Sequence, residues 1–502
     1  MRLQRAAAAA KTYVLHLGRE TSVHGVSHLV APDRHPLEVI YSLSRGTDIN
    51  LNCPLFSVVS ALWGFNIVVA IAVSVLLTMS SYRRFQEQPT VVSLEKDYQN
   101  WQNLFPAVTV CYRDRLDEKA AAEYISRKWA YATDKQNYYM NFLADVVNIS
   151  LLNLAAFTKY QEDRTLYGIA DEMKSIAAET HIRYKPSKQF RSLLTDKEFE
   201  SVFTEFGLCF SLASSIAVAL EPINSTKPKK FSEPWKCNSV TDQVCYGHLQ
   251  YDKLKTRVQI FVHSPYEIAA TGTWFHYLEG KRVVSAAFKN FQLVSTPEVL
   301  ALSVRQRGCY LYDQKRNLPY SVNLCKMTCR ANFAMRLCRC VPYFYSTLGI
   351  RPICDVRGLA CLAPYAKNLE HLTHKNGKPV SCKCVNPCET VHYTVSKISE
   401  LAMKSIAGGF SLDGLVFKWS IAPYNKSRYK RETLYTFEDL LVSLGGTTAL
   451  FLGCSLLSAV ELVYLLTLRL IFLRVQTDVS PEKRKRKKRR LKWLENITKE
   501  IL

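Results

Sequence analysis

Long apolar runs are almost missing from this 502-residue chain, and those it has are confined to its two ends. One is "LFSVVSALWGFNIVVAIAVSVLLTM", Leu55 to Met79, with no ionisable residue in its 25 positions. The other runs from Leu440 to about Leu473 and is interrupted by Glu461 and Arg469. Both are long enough to cross a bilayer. Nothing comparably apolar lies between them, which excludes a many-span transporter built from inverted repeats. Histidine is also scarce, with 11 residues, and hardly any accompanies the cysteines; that argues against zinc at the C-x-C pairs Cys338/Cys340 and Cys382/Cys384. No grouping of nucleophile, base and orienting residue stands out, so nothing points to an enzyme or a catalytic cofactor. Internal repeats and long low-complexity tracts are absent. Nor does the start read as a cleavable signal, since Ala6 to Ala10 is too short for one, and the first span is expected to act as a signal anchor.

What is abundant is positive charge and cysteine. Lys and Arg number 66 against 43 acidic residues, a formal net charge of +23. Twelve basic and four acidic residues follow Leu468, and "KRKRKKRRLK" (Lys483 to Lys492) holds nine cations in ten positions, including Lys483, Arg484, Lys485, Arg486, Lys487, Lys488, Arg489 and Arg490. Such a cluster favours the cytoplasm and anionic lipid over a nuclear-localisation role. Two spans then put both termini inside and the loop between them outside, in the plasma membrane. The loop carries acceptor sequences at Asn148, Asn224 and Asn425; a fourth, at Asn496, falls in the inner tail. Of the 16 cysteines, Cys53 lies at the first span and Cys454 in the second. The remaining 14, in an oxidising compartment, predict seven bridges.

The predicted organisation is an N-terminal region over residues 1–54, a first span over 55–82, an extracellular domain over 83–439, a second span over 440–473 and a tail over 474–502. Helical patterning appears at Glu118 to Ala132. Alternating patterns predict strands at Arg257 to Ser264, Arg282 to Ser295, Glu389 to Ile398 and Gly414 to Ile421. Cys309 to Cys388 holds ten cysteines in 80 positions, the mark of a stapled subdomain short of apolar core. The fold class is α+β, a large disulfide-rich domain flanked by two membrane helices.

If the second span is one continuous helix, Ser443, Thr447, Cys454, Ser458 and Glu461 fall within roughly 60° of each other on its wheel. Small residues alone suit helix–helix packing. A carboxylate inside a bilayer usually faces water or a partner, and neither span offers a basic partner nearby. The stripe therefore predicts a water-filled pore assembled from several copies, with carbonyls at Gly453 replacing part of an ion's hydration shell. Glu461 would lie about 9 Å below the Ser455 hydroxyl. A ring of carboxylates there selects cations. A two-span receptor that does not conduct, or an accessory subunit, would not need these residues.

The chain resembles the degenerin/epithelial sodium channel superfamily, within it the insect pickpocket branch. "FPAVTVC" (Phe105 to Cys111) looks like the signature outside the first span, and "LFLGCSLLSAVEL" (Leu450 to Leu462) like that of the second, with Gly453-Cys454-Ser455 as its Gly-x-Ser filter. "CKMTCRANFAMRLCRC" (Cys325 to Cys340) and "CKCVNPC" (Cys382 to Cys388) have the family's spacing, and His24-Gly25 matches its cytosolic His-Gly gating pair. The resemblance implies a homo- or heterotrimer of related subunits with a finger, thumb, palm, knuckle and β-ball ectodomain. It implies amiloride-sensitive sodium conduction gated by an extracellular ligand or force, with no nucleic acid involved. It further implies bridges Cys111–Cys245, Cys209–Cys237, Cys309–Cys388, Cys325–Cys384, Cys329–Cys382, Cys338–Cys361 and Cys340–Cys354. Val442 stands at the degenerin position, where relatives usually carry a small residue and bulk tends to hold the pore open. Ser443 stands where many relatives have Asp.

Overall fold

The computed structural model describes residues 54–96, 101–130, 133–182, 199–220, 234–237, 245–251, 257–312, 320–402, 415–422 and 428–468. Thr90–Thr433 forms one compact unit, and the described parts of Met1–Pro89 and Leu434–Leu502 form another. In chain order the elements that matter begin with α1 (Pro54–Glu87), β1 (Thr90–Glu95), β2 (Asn103–Leu104), β3 (Ala107–Tyr112), α2 (Glu118–Lys128) and α3 (Gln136–Val147). Next come α4 (Met173–Glu179), β4 (Glu200–Thr204), β5 (Gly207–Leu212), β6 (Lys236–Cys237), β7 (Tyr246–Tyr251), β8 (Val258–His263), β9 (Phe275–Leu278) and β10 (Arg282–Ser295). The chain continues through α5 (Val322–Cys338), α6 (Val356–Leu362), β11 (Thr390–Ala402), β12 (Leu415–Ile421), β13 (Arg428–Thr433), α7 (Phe437–Leu452) and α8 (Leu456–Leu466).

The larger unit is built on two sheets. One is ordered β1-β13-β10-β12-β7, with β11 on the other edge of β10. β10 is long enough that its first half pairs with β12 and its end with β13, both in parallel. Strands from early and late in the chain thus meet in one layer, and its core holds Phe105, Phe288, Phe417 and Trp419. Gly247 lies opposite Trp419, and a Cβ there would come within 2.4 Å of the indole, so only glycine admits the ring. The second sheet is ordered β4-β5-β3-β8-β9, all antiparallel.

Helices form the other core. α2 begins at Asp117, whose carboxylate accepts from the N–H groups of Lys119 and Ala120. The helical pattern predicted to Ala132 stops at Lys128, because Trp129 turns out to stack on Tyr139 at 4.3 Å and 5°. Phe142, Phe157, Tyr160, Tyr343, Phe344 and Tyr345 pack together beneath α2, α3, α4, α5 and α6. Among the described residues the largest fully buried side chains are all aromatic, and nearly all belong to these two cores.

Seven disulfides close the unit. In the dense block the pairs are Cys309–Cys388, Cys325–Cys384, Cys329–Cys382, Cys338–Cys361 and Cys340–Cys354. Cys325 and Cys329 sit one helical turn apart on α5 and bond Cys384 and Cys382, which flank Lys383 in a non-helical segment, so the bridges form rungs. The first four cysteines pair otherwise than the resemblance implied. Cys111 bonds Cys209, and Cys237 bonds Cys245. The reason is register: β3 and β5 pair Val108 with Leu212, Thr109 with Ser211 and Val110 with Phe210, which brings Cys111 beside Cys209 at a Cα separation of 4.6 Å. The pairs Cys111–Cys245 and Cys209–Cys237 are therefore incorrect.

The compact unit, Thr90–Thr433, is narrower than the segment 83–439 expected outside the membrane. α1 continues through Arg83 and Arg84 to Glu87, and the chain is already turning into the terminal helix at Leu434, where the N–H groups of Leu434 and Tyr435 both donate to Pro89 O.

Candidate conduction path

α1 is long and apolar enough to cross a membrane, and its described apolar side chains are largely exposed. α7 starts at a capping box: Thr436 Oγ1 accepts from Asp439 N–H at 3.2 Å, and Asp439 Oδ2 accepts from Thr436 N–H at 2.8 Å. Glu438 and Asp439 in the first turn suit the positive end of the helix dipole. The sequence carries the signal for this box as Thr-x-x-Asp before an apolar run, outside the motifs named above. α1 and α7 run antiparallel, with Phe85 beside Phe437 at 6.5 Å and the Ser81 and Ser443 hydroxyls bonded at 2.9 Å.

The continuous stripe does not exist. Gly453 ends α7 in the left-handed region at φ 64°, its N–H donating to Ala449 O at 3.0 Å. Cys454 N–H reaches back to Thr448 O at 3.4 Å. Ser455 then opens α8, accepting from Ser458 N–H at 3.2 Å while Ser458 Oγ accepts from Ser455 N–H at 3.2 Å. The two helices are bent by 76°. Counting 100° per residue across Gly453 to Ser455 is therefore invalid. Ser443 and Thr447 belong to one helix, Ser458 and Glu461 to the next.

Each predicted pore residue has a definite place. Ser443 faces α1 within the chain instead of an open side. Thr447 is half-buried and bonds back to Ser443 O at 2.7 Å. Val442 is 75% exposed, and a Cβ added at Gly445 or Gly446 would meet nothing within 4 Å, so these residues form the open face of α7. Ser458 is buried beside Ser455, Glu461 is half-buried on α8, and Cys454 is the free cysteine among the described residues. His24, Gly25, Asn224, Asn425 and Lys483 to Arg490 lie outside the described residues. Asn148 is half-buried, with Oδ1 accepting from Arg115 N–H at 2.9 Å.

Chemically, the Gly453–Ser455 step is a helix interruption between two apolar helices. Backbone groups near it leave the regular ladder, which is how carbonyls and hydroxyls become available to a cation inside a membrane. Among the described residues no group of His, Cys, Asp or Glu could hold a resident metal ion.

Comparison with known proteins bears on this arrangement. The sequence profile of the family described as "Amiloride-sensitive sodium channel" matches residues 17–465. The human bile acid-sensitive ion channel is 23% identical over 435 residues, 80% of each chain. Sodium channel protein Nach of Drosophila melanogaster is 23% identical, with 81% of this chain and 82% of its own covered. Pickpocket protein 11 of the same fly is 24% identical over 41% of each. A chain from a cryo-EM structure of a proton-activated chloride channel superposes at a TM-score of 0.24 with 3% identity over 78% of this chain and 91% of its own, too loosely to bear on the fold. A match from residue 17 to residue 465 spans the apolar helix, the disulfide-stapled domain and the helix break together, and the chain accordingly belongs to the amiloride-sensitive sodium channel family.

Proposed function

We propose that the chain is one subunit of a trimeric, sodium-selective, amiloride-sensitive channel of the plasma membrane, opened by an extracellular stimulus acting on the stapled domain. Both termini lie in the cytoplasm, where His24-Gly25 influences gating and Lys483 to Arg490 lie against anionic lipid. α7 and α8 together form the second span. Gly453, Cys454 and Ser455 form the filter, Glu461 the inner acidic ring, and Val442 the gating position. Asn148, Asn224 and Asn425 are the glycan acceptors. The observation that carries the reading is the helix break itself, in the segment where the family profile is matched. A lipid-facing anchor gains nothing from an interrupted ladder, whereas a conducting path needs exposed backbone oxygens.

The test is voltage clamp of cells expressing the chain alone, with sodium, lithium and potassium exchanged with and without amiloride. The expected result is an inward sodium current that amiloride reduces. Surface expression without current under any stimulus would make the chain an accessory subunit.

A further inference from the structure

The positive charge of the stapled block is far from balanced. Cys325 to Cys388 holds ten Lys and Arg residues against two acidic ones. Three of the ten have a carboxylate: Arg330 pairs with Glu205, Arg351 with Asp171 at 2.7 Å and Arg357 with Asp355 at 3.2 Å. Among the described residues the other seven have no carboxylate partner. Both acidic residues are engaged elsewhere. Asp355 caps α6, accepting from Gly358 N–H at 2.8 Å, and Glu370 lines a separate cavity beside Arg257 and Asn148.

Part of this excess is gathered round a cleft of about 530 Å³ between α5 and residues 365–378. Buried Arg330 donates to Leu369 O and Glu370 O, each at 3.1 Å, and so holds the short helix Ala366–His371 against α5. Phe333, one turn further along α5, meets the His374 ring edge to face at 5.4 Å. From there the chain makes a closed turn. His374 N–H donates to Lys378 O at 2.8 Å, Gly377 N–H donates to His374 O at 2.9 Å, and Gly377 takes the left-handed conformation this requires, at φ 78°. Asn376 Oδ1 accepts from Lys378 N–H at 3.3 Å. The turn sets Lys375 and Lys378 in the cleft wall, and the Lys375 ammonium lies 4.8 Å from the Tyr365 ring centroid, a cation–π contact that steadies it there.

We propose that this cleft binds a sulfated polysaccharide, with Lys375 and Lys378 holding its sulfate groups. No carboxylate lines the cleft, so its cations set a positive potential inside it. Those cations are lysines, point charges that suit a sulfate group met from any side, and not the planar forks that match a peptide carboxylate. The amides of Asn368 and Asn376 line the same wall and keep N–H donors for sugar hydroxyls. Neither asparagine begins a glycan acceptor sequence, so the wall stays uncovered. Arg336 and Lys367, exposed next to Leu337 and Asn368, carry the charge past the cleft. A repeating anion gains from that extension, and a lone carboxylate or phosphate does not.

The choice of an extracellular polyanion rests on the outside placement proposed above, but binding itself depends on neither topology nor conduction. The test is fluorescence anisotropy of a fluorescein-labelled heparin oligosaccharide titrated with the full chain in nanodiscs of zwitterionic lipid. Lys483 to Arg490 are replaced by glutamine throughout, so that the basic tail does not bind the probe. Saturable binding is expected, weakened at least about fivefold by Lys375→Gln with Lys378→Gln at an unchanged melting temperature. Lys119→Gln with Lys289→Gln, exposed lysines on α2 and β10, is expected to change it by less than about twofold. Desulfated heparin and polyglutamate are each expected to compete at least about fivefold more weakly than heparin. No saturable binding, a smaller loss from the Lys375 and Lys378 pair, an equal loss from the control pair, or equal competition by desulfated heparin overturns the assignment. Equal competition by polyglutamate overturns it in favour of an acidic polypeptide. Failure in nanodiscs leaves the channel reading standing. Binding in nanodiscs that is missing from intact, glycosaminoglycan-deficient cells with the chain at their surface counts against the outside placement alone.

Discussion

Glu205 and Arg330, 125 residues apart in sequence, meet at 2.9 Å with both side chains buried. Glu205 closes the β4–β5 hairpin and Arg330 lies mid-way along α5, so the pair ties the second sheet to the helical core. The rest of each group is also satisfied: Tyr345 donates its hydroxyl to Glu205 Oε1 at 2.9 Å, and Arg330 donates to Leu369 O and Glu370 O. Removing one partner leaves a buried charge behind, which costs about 3–5 kcal/mol, whereas removing both costs less. Arg330→Met is therefore expected to lower ectodomain stability by about that amount, and Glu205→Leu added to it to recover part of the loss. Thermal unfolding followed by near-UV circular dichroism decides; a double variant no better than the single one contradicts the account.

The bridge pattern gives a direct chemical check. A non-reduced proteolytic digest should contain Cys111 linked to Cys209, and no peptide linking Cys111 to Cys245. Cys111→Ala with Cys209→Ala opens a loop whose closure separation is 98 residues, and chain-entropy arguments put the loss at about 4–5 kcal/mol. Mass spectrometry settles the linkage whatever the size of that loss.

Much of the architecture was legible because β-strands carry their signal locally. β10 and β12 lie where alternation placed them, and β11 runs four residues past its predicted end, along the edge of β10. The Cys325 and Cys329 side of the two rungs follows from helical spacing, whereas Cys382 and Cys384 flank Lys383 in the left-handed region, which their spacing did not foretell. Other features depend on what a segment meets in space. The Cys111–Cys209 bridge is decided by the register of two strands almost a hundred residues apart, which spacing between cysteines does not encode. The stripe on the second span failed for the opposite reason, since its own Gly453 and Ser455 are residues that end and begin helices. Glu205 and Arg330 left no sequence signal, because a buried ion pair looks like two ordinary surface charges.

A pH effect follows from His263. The ring is buried, with Nδ1 donating to Ser264 O at 2.8 Å and Nε2 accepting from Thr109 Oγ1 at 2.7 Å. That arrangement suits the neutral imidazole, and burial lowers the pKa from 6.5 to about 4. The unfolded chain then binds a proton between about pH 6.5 and 4 that the folded chain refuses. Stability is full above pH 6.5 and declines as pH falls towards 4, by about 3 kcal/mol in all. His181, also buried and lowered to about 4, adds to the same window. His263→Gln is expected to flatten the decline in melting temperature between pH 7 and pH 5; a decline as steep as in the parent chain rules His263 out as its source.

Val442 stands at the exposed face of α7 beside Gly445 and Gly446. In an assembly whose subunits close on that face, a β-branched side chain keeps neighbouring helices apart where a smaller residue would let them meet. Val442→Ala is expected to lower the resting current and enlarge the response to a stimulus. A bias of about 1 kcal/mol towards the closed state changes the open-to-closed ratio about fivefold. Single-channel recording of resting open probability is the measurement, and an unchanged value removes Val442 from the gate.

Ser455 does two things at once, and they can be separated. Its hydroxyl accepts from Ser458 N–H to start α8, and the residue stands next to the left-handed Gly453 turn where the proposed filter lies. Ser455→Ala removes the cap, at about 1 kcal/mol, together with the hydroxyl. Ser455→Asp keeps a capping oxygen but adds charge to the filter. If Ser455 matters only as a cap, Ala lowers surface expression and leaves the sodium-to-potassium permeability ratio alone, and Asp behaves like the parent. If the residue faces the ion, both substitutions shift the reversal potential under bi-ionic conditions, and Asp raises calcium entry as well. The expected outcome is the second. A reversal potential unmoved by either change would confine Ser455 to holding the helix break in shape.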